Sequence, residues 1–277
     1  MERDWCGGSC RCRDALPAEE RPGRASAVCR RRAARAALGQ GLEACLDLVD
    51  GTLGSAKHPR RWERLLEVTA QVDNQAGCVI GVAGRKALAG SEEANAVLSR
   101  HLGRAVTLTR IVPEQARLHR QLPDDPGLVP EWMREATAGQ EMVTEVSGAR
   151  PGGRFVDFGA VHLLTTGALD GLARQLGRPA VDMSRFRPNL VVDAPRDPEP
   201  GQELRIADVV LRVTLPTPRC VVPGLTAGED QSVDQQLLST LARHHRTAVA
   251  DMGKAACFGV YAEVLQPGHV RAGQAVR

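Results

Sequence analysis

The stretch that decides the fold is VVLRVTLPTPRC, residues 209–220. Its apolar residues predict a strand, which we expect to end at Pro216 because proline lacks a backbone N–H and fixes φ. The predicted turn presents Cys220 beside Arg219, whose positive charge favours the thiolate form of the cysteine. A thiolate is a nucleophile and a soft metal ligand. Cys220 is therefore the first candidate for chemistry, and the alternative is a small hydrophobic residue in the core.

The composition describes a chain with room for one large domain or two small ones and with few aromatic residues. Of its 277 residues, 3% are aromatic, so the core must be built from Val, Leu and Ala. Residues 1–35 carry nine arginines against five acidic residues, whereas the remainder is close to neutral. A near-neutral folded part gives no support for nucleic-acid binding.

Targeting signals are absent from the sequence pattern. No apolar run approaches the roughly 18 residues that a membrane span needs, and the first residues lack the apolar segment of a signal peptide. We therefore expect a cytoplasmic protein without a membrane partner. In that compartment its eight cysteines are reduced rather than paired.

The first segment, residues 1–44, is rich in Arg and Cys and has little apolar periodicity, so we expect it to be disordered. Cys6, Cys10 and Cys12 lack the C-x₂-C spacing and a neighbouring histidine, which argues against a zinc site. The segment is an atypical beginning for a globular fold.

Three further parts follow along the chain. Residues 45–120 alternate short strands with one helix, which Gly103 is expected to end as a C-cap. Residues 121–150 are rich in Pro and Gly and predict a linker. Residues 151–277 contain many short strands with interspersed helices, a pattern that predicts an α+β fold with a barrel-like sheet.

Four segments of the last part occur in a characteristic order: HLLTT at 162–166, RFRPN at 185–189, PRC at 218–220 and FGVYA at 258–262. Their order and spacing resemble the MOSC domain, named for the C-terminal part of molybdenum-cofactor sulfurases, and within it the amidoxime-reducing branch and its bacterial relatives. The segment GSAKHPRRW at 54–62 is similar to the N-terminal β-barrel region of that family. The resemblance implies a MOSC-type β-barrel with interspersed helices, plus a partial N-terminal barrel-like region.

The resemblance also implies a molybdenum–molybdopterin cofactor. In the family, the cysteine that matches Cys220 ligates molybdenum, and thiolates suit such a metal as soft donors. The pterin phosphate is a dianion that calls for Arg or Lys side chains and backbone N–H groups. The positions carried over as cofactor contacts are Arg187, Arg219, Asn189, Tyr261, Phe158, Gly159 and Lys57.

Several of these positions have a second interpretation. Arg187 is alternatively a surface arginine paired with Asp193, and Lys57 a solvated surface charge. Tyr261, the only tyrosine, is alternatively a core residue whose hydroxyl is satisfied by the backbone. His162 lies on an apolar strand, and we interpret it as a core histidine rather than a ligand.

By resemblance, the protein is an oxidoreductase with Cys220 at its catalytic centre that reduces N-hydroxylated small molecules. The sequence has no G-x-G-x-x-G after a strand, so we expect electrons from a separate ferredoxin-, flavodoxin- or cytochrome-type partner. Pyridoxal phosphate binding is a further property that the resemblance implies.

Two alternatives stay open at the level of the sequence. The first is a sulfur carrier that uses a Cys220 persulfide for metal–sulfur cluster assembly. The second is a degraded, non-catalytic family member, since residues 1–44 do not match the opening strand and Lys–Ser turn of the family.

Overall fold

The computed structural model describes residues 25–28, 44–73, 77–146, 158–225 and 233–277. The helices in these ranges are α1 (Glu92–Leu102), α2 (Thr166–Leu176) and α3 (Gln235–His244). The strands are β1 (Ala25–Val28), β2 (Ala44–Asp47), β3 (Thr69–Asp73), β4 (Gly77–Val82), β5 (Arg85–Leu88), β6 (Val106–Thr109), β7 (Arg117–Gln121), β8 (Glu141–Glu145), β9 (Val161–Thr165), β10 (Leu190–Val192), β11 (Glu203–Ile206), β12 (Val209–Pro218), β13 (Arg246–Ala248), β14 (Lys254–Gln266) and β15 (Gln274–Val276). The predicted α+β class is confirmed. No helix within the described ranges is both long and apolar enough to cross a membrane.

The largest sheet closes on itself. Its strands follow one another in the order β12, β11, β15, β1, β10, β9 and β14, and β14 pairs again with β12. Strand β13 pairs with β14 beside this ring. Every pairing is antiparallel except that of β9 with β10. A closed sheet leaves few unpaired strand edges, and the predicted barrel with interspersed helices is confirmed.

Two apolar clusters stabilise this barrel. One lies inside the ring and includes Leu163, Leu211 and Val260. The other lies between the sheet and helices α2 and α3, where the Phe186 and Phe258 rings pack with their centroids 4.4 Å apart. Each fully buried Leu, Val or Phe side chain contributes roughly 1.5–3 kcal/mol to folding, so these clusters fix the strands that carry the site.

The helices begin and end where local signals predict. Thr165 caps α2 by accepting a hydrogen bond from the Ala168 N–H, and Gly177 ends the helix in the left-handed conformation at φ 64°. Gly103 ends α1 in the same way. These caps are local interactions, which is why the sequence predicted the one at Gly103.

Strand β12 differs from its prediction. It continues through Pro216 to Pro218, so the expectation that it ends at Pro216 is wrong. The pairing of β12 with β14 shifts register between Val213 and Leu215 and again between Pro216 and Pro218. A proline without an N–H is tolerated at such irregular positions. The strand therefore leads directly to Arg219 and Cys220.

The N-terminal region, residues 44–122, contains small antiparallel sheets around α1. One sheet has the order β3, β4, β5, and a second pairs β2 with β6; β7 pairs with β8, which follows the region in the chain. Trp62, Ile80 and Leu98 form the centre of its core, each with at most 1% of its surface exposed. The region therefore has a core of its own.

The segment predicted as a linker, residues 121–150, is ordered in its described part. It contains 3₁₀ turns at Pro126–Leu128 and Glu131–Met133 and the strand β8. Leu128 is buried against α3, and the Arg246 guanidinium donates to the Val129 carbonyl at 3.3 Å. The Pro and Gly residues thus form tight turns that pack on the C-terminal part. The assignment of residues 121–150 as a linker and the domain boundaries stay predictions.

Residues 1–44 lie outside the described residues apart from β1 and Ala44. The backbone of β1 pairs with β10 on one side and with β15 on the other, which completes the ring. A strand here was not expected. The predicted disorder of the rest of the segment, and Cys6, Cys10 and Cys12, fall outside the described residues.

Candidate functional site

Cys220 lies two residues beyond the end of β12, where Pro218 pairs with Cys257 of β14. Its side chain is half-buried, and the residue is a free cysteine. The other described cysteines, Cys45, Cys78 and Cys257, are buried. Burial raises the pKa of the Cys45 and Cys257 thiols to about 12, so both stay protonated. Among the described cysteines, Cys220 is therefore the one that a metal or substrate can reach.

Arg219 makes several hydrogen bonds that fix the position of the neighbouring Cys220. Its Nε donates to the Phe258 carbonyl at 2.9 Å and its Nη1 to the Phe186 carbonyl at 3.3 Å, while Nη2 contacts His162 Nε2. Its backbone N–H donates to the Ala256 carbonyl at 2.8 Å. Burial lowers the pKa of the guanidinium to about 10, so it remains positive at neutral pH. These bonds connect Arg219 with β14, with β9 and with the turn that ends at Phe186.

The charge of Arg219 acts on Cys220. The two groups are close enough to interact electrostatically, as are Arg219 and the Tyr261 hydroxyl. The predicted role of Arg219 beside the metal ligand is therefore compatible with its position. Its donors are largely used by protein carbonyls, and its role as a cofactor contact stays a prediction.

His162 of β9 and Asn189, the residue before β10, are joined by two hydrogen bonds. The Asn189 Oδ1 accepts from the His162 N–H at 2.8 Å, and the Asn189 N–H donates to the His162 carbonyl at 2.7 Å. His162 is 5% exposed. Because a guanidinium has donors only, His162 Nε2 must accept from Arg219, which places the imidazole proton on Nδ1. The interpretation of His162 as a buried histidine agrees with this position, but the sequence did not place it at the site.

Tyr261 and Phe158 lie beside His162, and we call this pair of side chains the aromatic wall. Tyr261 of β14 lies opposite His162 in the strand register. Its ring stacks on Phe158 with centroids 5.7 Å apart and meets the His162 ring edge-on at 5.8 Å. At Gly159 a Cβ atom would lie 2.4 Å from the Tyr261 ring, so this close approach requires glycine. The structure thus brings Phe158, Gly159 and Tyr261 together.

Glycine is also required in the FGVYA segment. Gly259 has φ +78°, a backbone conformation that other residues rarely adopt. A Cβ atom there would lie 2.5 Å from Leu164 Cδ2 and 2.7 Å from His162 Nε2. The missing side chain lets β14 approach β9 closely, and this approach brings the Phe258 carbonyl within reach of Arg219.

The remaining candidates are the cations Arg187 and Lys57. Arg187 is half-buried and follows the 3₁₀ turn with φ 55° and ψ 47°. A positive φ is uncommon outside glycine and is concentrated at constrained or functional positions. Lys57 is half-buried in the N-terminal region, and its carbonyl accepts from the Gln121 N–H at 2.9 Å. Both residues have interactions within the protein, and their role as phosphate ligands stays a prediction.

Asp197 is a residue of the site that sequence reasoning missed. Its carboxylate accepts from the Thr165 N–H at 3.0 Å and from the Thr165 hydroxyl at 2.7 Å. Burial raises the pKa of Asp197, although hydrogen bonds from Thr165 and Gly259 and the charge of Arg219 oppose this shift. The carboxylate therefore connects the start of α2 with β14. No local signal distinguishes it, because it lies in the proline-rich connection RDPEP, residues 196–200, which has the composition of a surface loop.

The site fits one end of a molybdenum–pterin cofactor. No group of three or more His, Cys, Asp or Glu side chains within the described ranges is arranged to hold a metal ion. The metal of such a cofactor takes a single thiolate from the protein, and Cys220 meets that requirement. The roles of Arg187 and Lys57 at the phosphate of the cofactor stay predictions.

Comparisons with known proteins support the family resemblance. Residues 152–277, somewhat less than half of the chain, match the family model described as MOSC domain. The match does not distinguish the amidoxime-reducing branch. The crystal structure of the YUAD protein from Bacillus subtilis is similar at 16% sequence identity, covering 58% of this chain and 82% of that one with a TM-score of 0.34. That likeness is too low to carry an argument. No curated protein matches the sequence.

Proposed function

We propose that this protein binds a molybdenum cofactor through its MOSC domain and reduces N-hydroxylated small molecules with electrons from a separate redox partner. The observation that carries the proposal is the half-exposed Cys220 thiol, held at the end of β12 beside the buried positive charge of Arg219. The match of residues 152–277 to the MOSC domain model supports a molybdenum-related role.

Each residue of the site has a defined part in this proposal. Cys220 supplies the thiolate ligand, and Arg219 stabilises its negative charge. Arg187 and Lys57 hold the phosphate, as cations suit a dianion. The wall that Tyr261 forms with Phe158 orients the substrate and excludes water. When bound, the cofactor supplies the two-electron oxygen-transfer chemistry.

The proposal is tested by metal analysis of Cys220→Ala. We expect the full-length protein, made in cells that synthesise the cofactor, to contain close to stoichiometric molybdenum by mass spectrometry. Cys220→Ala is expected to lose most of this metal while its circular dichroism and melting temperature stay unchanged, because the side chain is half-buried and small. Cys78→Ala is the matched control, since it removes a buried thiol from the N-terminal core. Full molybdenum in Cys220→Ala would remove the assignment.

A sulfur carrier is the second candidate, because a half-exposed thiol beside a positive charge also suits a persulfide. Protein without molybdenum, but with sulfane sulfur that disappears in Cys220→Ser, would favour this function. If neither molybdenum nor sulfane sulfur is found, the non-catalytic alternative is preferred.

A further inference from the structure

His119 of β7 lies at the centre of a network of polar contacts. Its Nδ1 lies 2.8 Å from Glu141 Oε1 of β8, and its Nε2 lies 2.9 Å from Asp50 Oδ2, in the turn after β2. The other oxygen of the Glu141 carboxylate lies 3.2 Å from His58 Nε2. His119 therefore connects β8 with a turn that is distant from it in the chain.

Both carboxylates at the His119 ring are ionised at neutral pH. Burial opposes the ionisation of Asp50, but hydrogen bonds from Thr52 and His119 lower its pKa to about 2. The contacts with the two histidines lower the pKa of Glu141 in the same direction. An ionised carboxylate is an acceptor only, so each of the two needs a hydrogen from the imidazole ring.

These two acceptors require a proton on each nitrogen of the His119 ring. A neutral imidazole has one N–H group and one lone pair, whereas an imidazolium has two N–H groups. In the neutral form, a lone pair of the ring would face one of the carboxylates at hydrogen-bond distance. Two negative charges beside the ring also favour its charged form.

The surrounding charges balance when His119 is positive. Arg61 Nη2 lies 3.1 Å from Asp47 Oδ2 and also contacts Asp50. Arg104 Nε lies 3.1 Å from the same oxygen of Asp47. With the carboxylate on β8, three negative charges thus meet two guanidinium groups, and the imidazolium supplies the third positive charge.

The other titratable groups nearby do not replace this charge. The Arg61 N–H donates to His58 Nδ1 at 3.1 Å, so the His58 ring proton is on Nε2 and the ring is neutral. Arg117 lies opposite Glu145 in the register of β7 and β8, and Arg120 donates to a threonine of β8. The positive charge between the two carboxylates therefore comes from His119 itself.

We propose that His119 is a pH-dependent contact: as an imidazolium it holds β7, β8 and the turn at Asp50 together, and the loss of its proton at mildly alkaline pH weakens this arrangement. The stabilisation is present while the ring is charged and is lost as the pH rises, as for any group that holds its proton more tightly in the folded chain. The segment 54–62 belongs to the same network through His58 and Arg61. The inference does not depend on molybdenum.

Melting temperatures of the full-length protein and of His119→Gln test the role of the charge. We expect His119→Gln to melt about 2–4 °C below the wild type at pH 6, where the wild-type ring is charged. At pH 9 the difference should shrink to about 1 °C or less, because a neutral histidine is an uncharged donor like glutamine. His269→Gln, at an exposed position, is the matched control and should show no such pH dependence. A difference of the same size at both pH values would overturn the proposal.

Glu141→Gln provides an independent test if His119→Gln does not fold, because Glu141 is exposed. The variant removes one of the two negative charges at the ring, so we expect a lower melting temperature than wild type at pH 6 and a smaller difference at pH 9. Glu145→Gln, exposed on the same strand, is the matched control, and its difference from wild type should not change between these pH values. Equal behaviour of the two glutamate variants contradicts the inference.

Nuclear magnetic resonance of the full-length protein, labelled with nitrogen-15 in its histidines, observes the proton directly. The ring signals that are absent from His119→Gln belong to His119. At pH 7 we expect both of its ring nitrogens to be protonated, whereas His58 should carry its proton on Nε2 alone. An unprotonated nitrogen in the His119 ring at this pH would overturn the proposal.

Discussion

At the scale of single residues, Arg219 is explained by what its guanidinium contacts. Its bonds to the Phe186 and Phe258 carbonyls and to His162 give it a structural role, whereas its charge acts on Cys220. Arginine and lysine are not equivalent in such a position, because only the planar fork reaches several acceptors at once.

Arg219→Lys tests this division of roles. Lysine keeps the positive charge but lacks the planar set of N–H donors of the guanidinium. We therefore expect the free energy of unfolding to fall by about 2 kcal/mol, the scale of a few charge-assisted hydrogen bonds. Chemical denaturation measures the loss, with Arg196→Lys at an exposed position as control. If Arg219→Lys loses molybdenum at unchanged stability, Arg219 is a cofactor ligand and the structural interpretation is wrong.

Gly159 tests the aromatic wall. Gly159→Ala places a Cβ atom 2.4 Å from the Tyr261 ring, and we expect a loss of about 1–3 kcal/mol in stability because the ring must move. Gly171→Ala is the control, and we expect it to raise the stability rather than lower it. Its Cβ, in the middle of α2, meets only Arg174 Nη2 at 3.9 Å, and alanine is favoured over glycine in a helix by up to about 1 kcal/mol. Equal melting temperatures for the two variants contradict the described packing.

At the scale of elements, an ion pair connects the two helices on the barrel. Arg178, just beyond α2, binds Asp234 through two nitrogens at 2.6 and 2.9 Å. Asp234 also caps α3 by accepting from the Leu237 N–H at 3.0 Å. The hydrogen bonds from Arg178 hold the pKa of the Asp234 carboxyl below its usual value. The pair therefore fixes the beginning of α3 relative to α2.

Asp234→Asn gives a pH-dependent prediction. Because the folded-state pKa is lowered, the stabilisation is fully present above the ordinary value of 3.8 and is lost as the pH falls below it. We expect Asp234→Asn to cost about 1–2 kcal/mol at pH 7 and the difference from wild type to shrink below about pH 4. Denaturation across pH measures this, with Asp170→Asn, exposed on α2, as control. A pH-independent difference would contradict the assigned ion pair.

Elements whose signals are local were predictable from the sequence. The cap at Thr165 and the C-cap glycines Gly103 and Gly177 depend on neighbouring residues only, and the end of α1 at Gly103 lies where it was expected. Strand β12 was not predictable beyond Pro216, because its irregular register depends on β14, which lies some forty residues later in the chain. Strand β1 was missed for the same reason, since it is defined by pairing with β10 and β15.

The candidate site shows the same limit. Cys220 has a half-buried thiol and Tyr261 lies beside Phe158, whereas their roles at a cofactor stay predictions. The carbonyl contacts of Arg219 and the carboxylate of Asp197 were not foreseen, because both depend on contacts between distant segments. Sequence motifs indicate which residue types meet, whereas the direction of each donor requires the tertiary structure.

At the scale of the whole molecule, the described part of segment 121–150 packs on the C-terminal part. Leu128 is buried against α3, and Lys254 N donates to Glu131 Oε2 at 2.8 Å. This contact places residues of the N-terminal region, among them Trp62, across a cavity from Val221. The N-terminal region and the MOSC-matching part thus share the walls of this cavity.

The most direct test of the account is X-ray absorption at the molybdenum edge of the purified full-length protein and of Cys220→Ser. We predict molybdenum with sulfur neighbours in the wild type, and loss of one sulfur neighbour or of the metal in the variant. An identical sulfur environment in both proteins would contradict the assignment of Cys220 as the metal ligand.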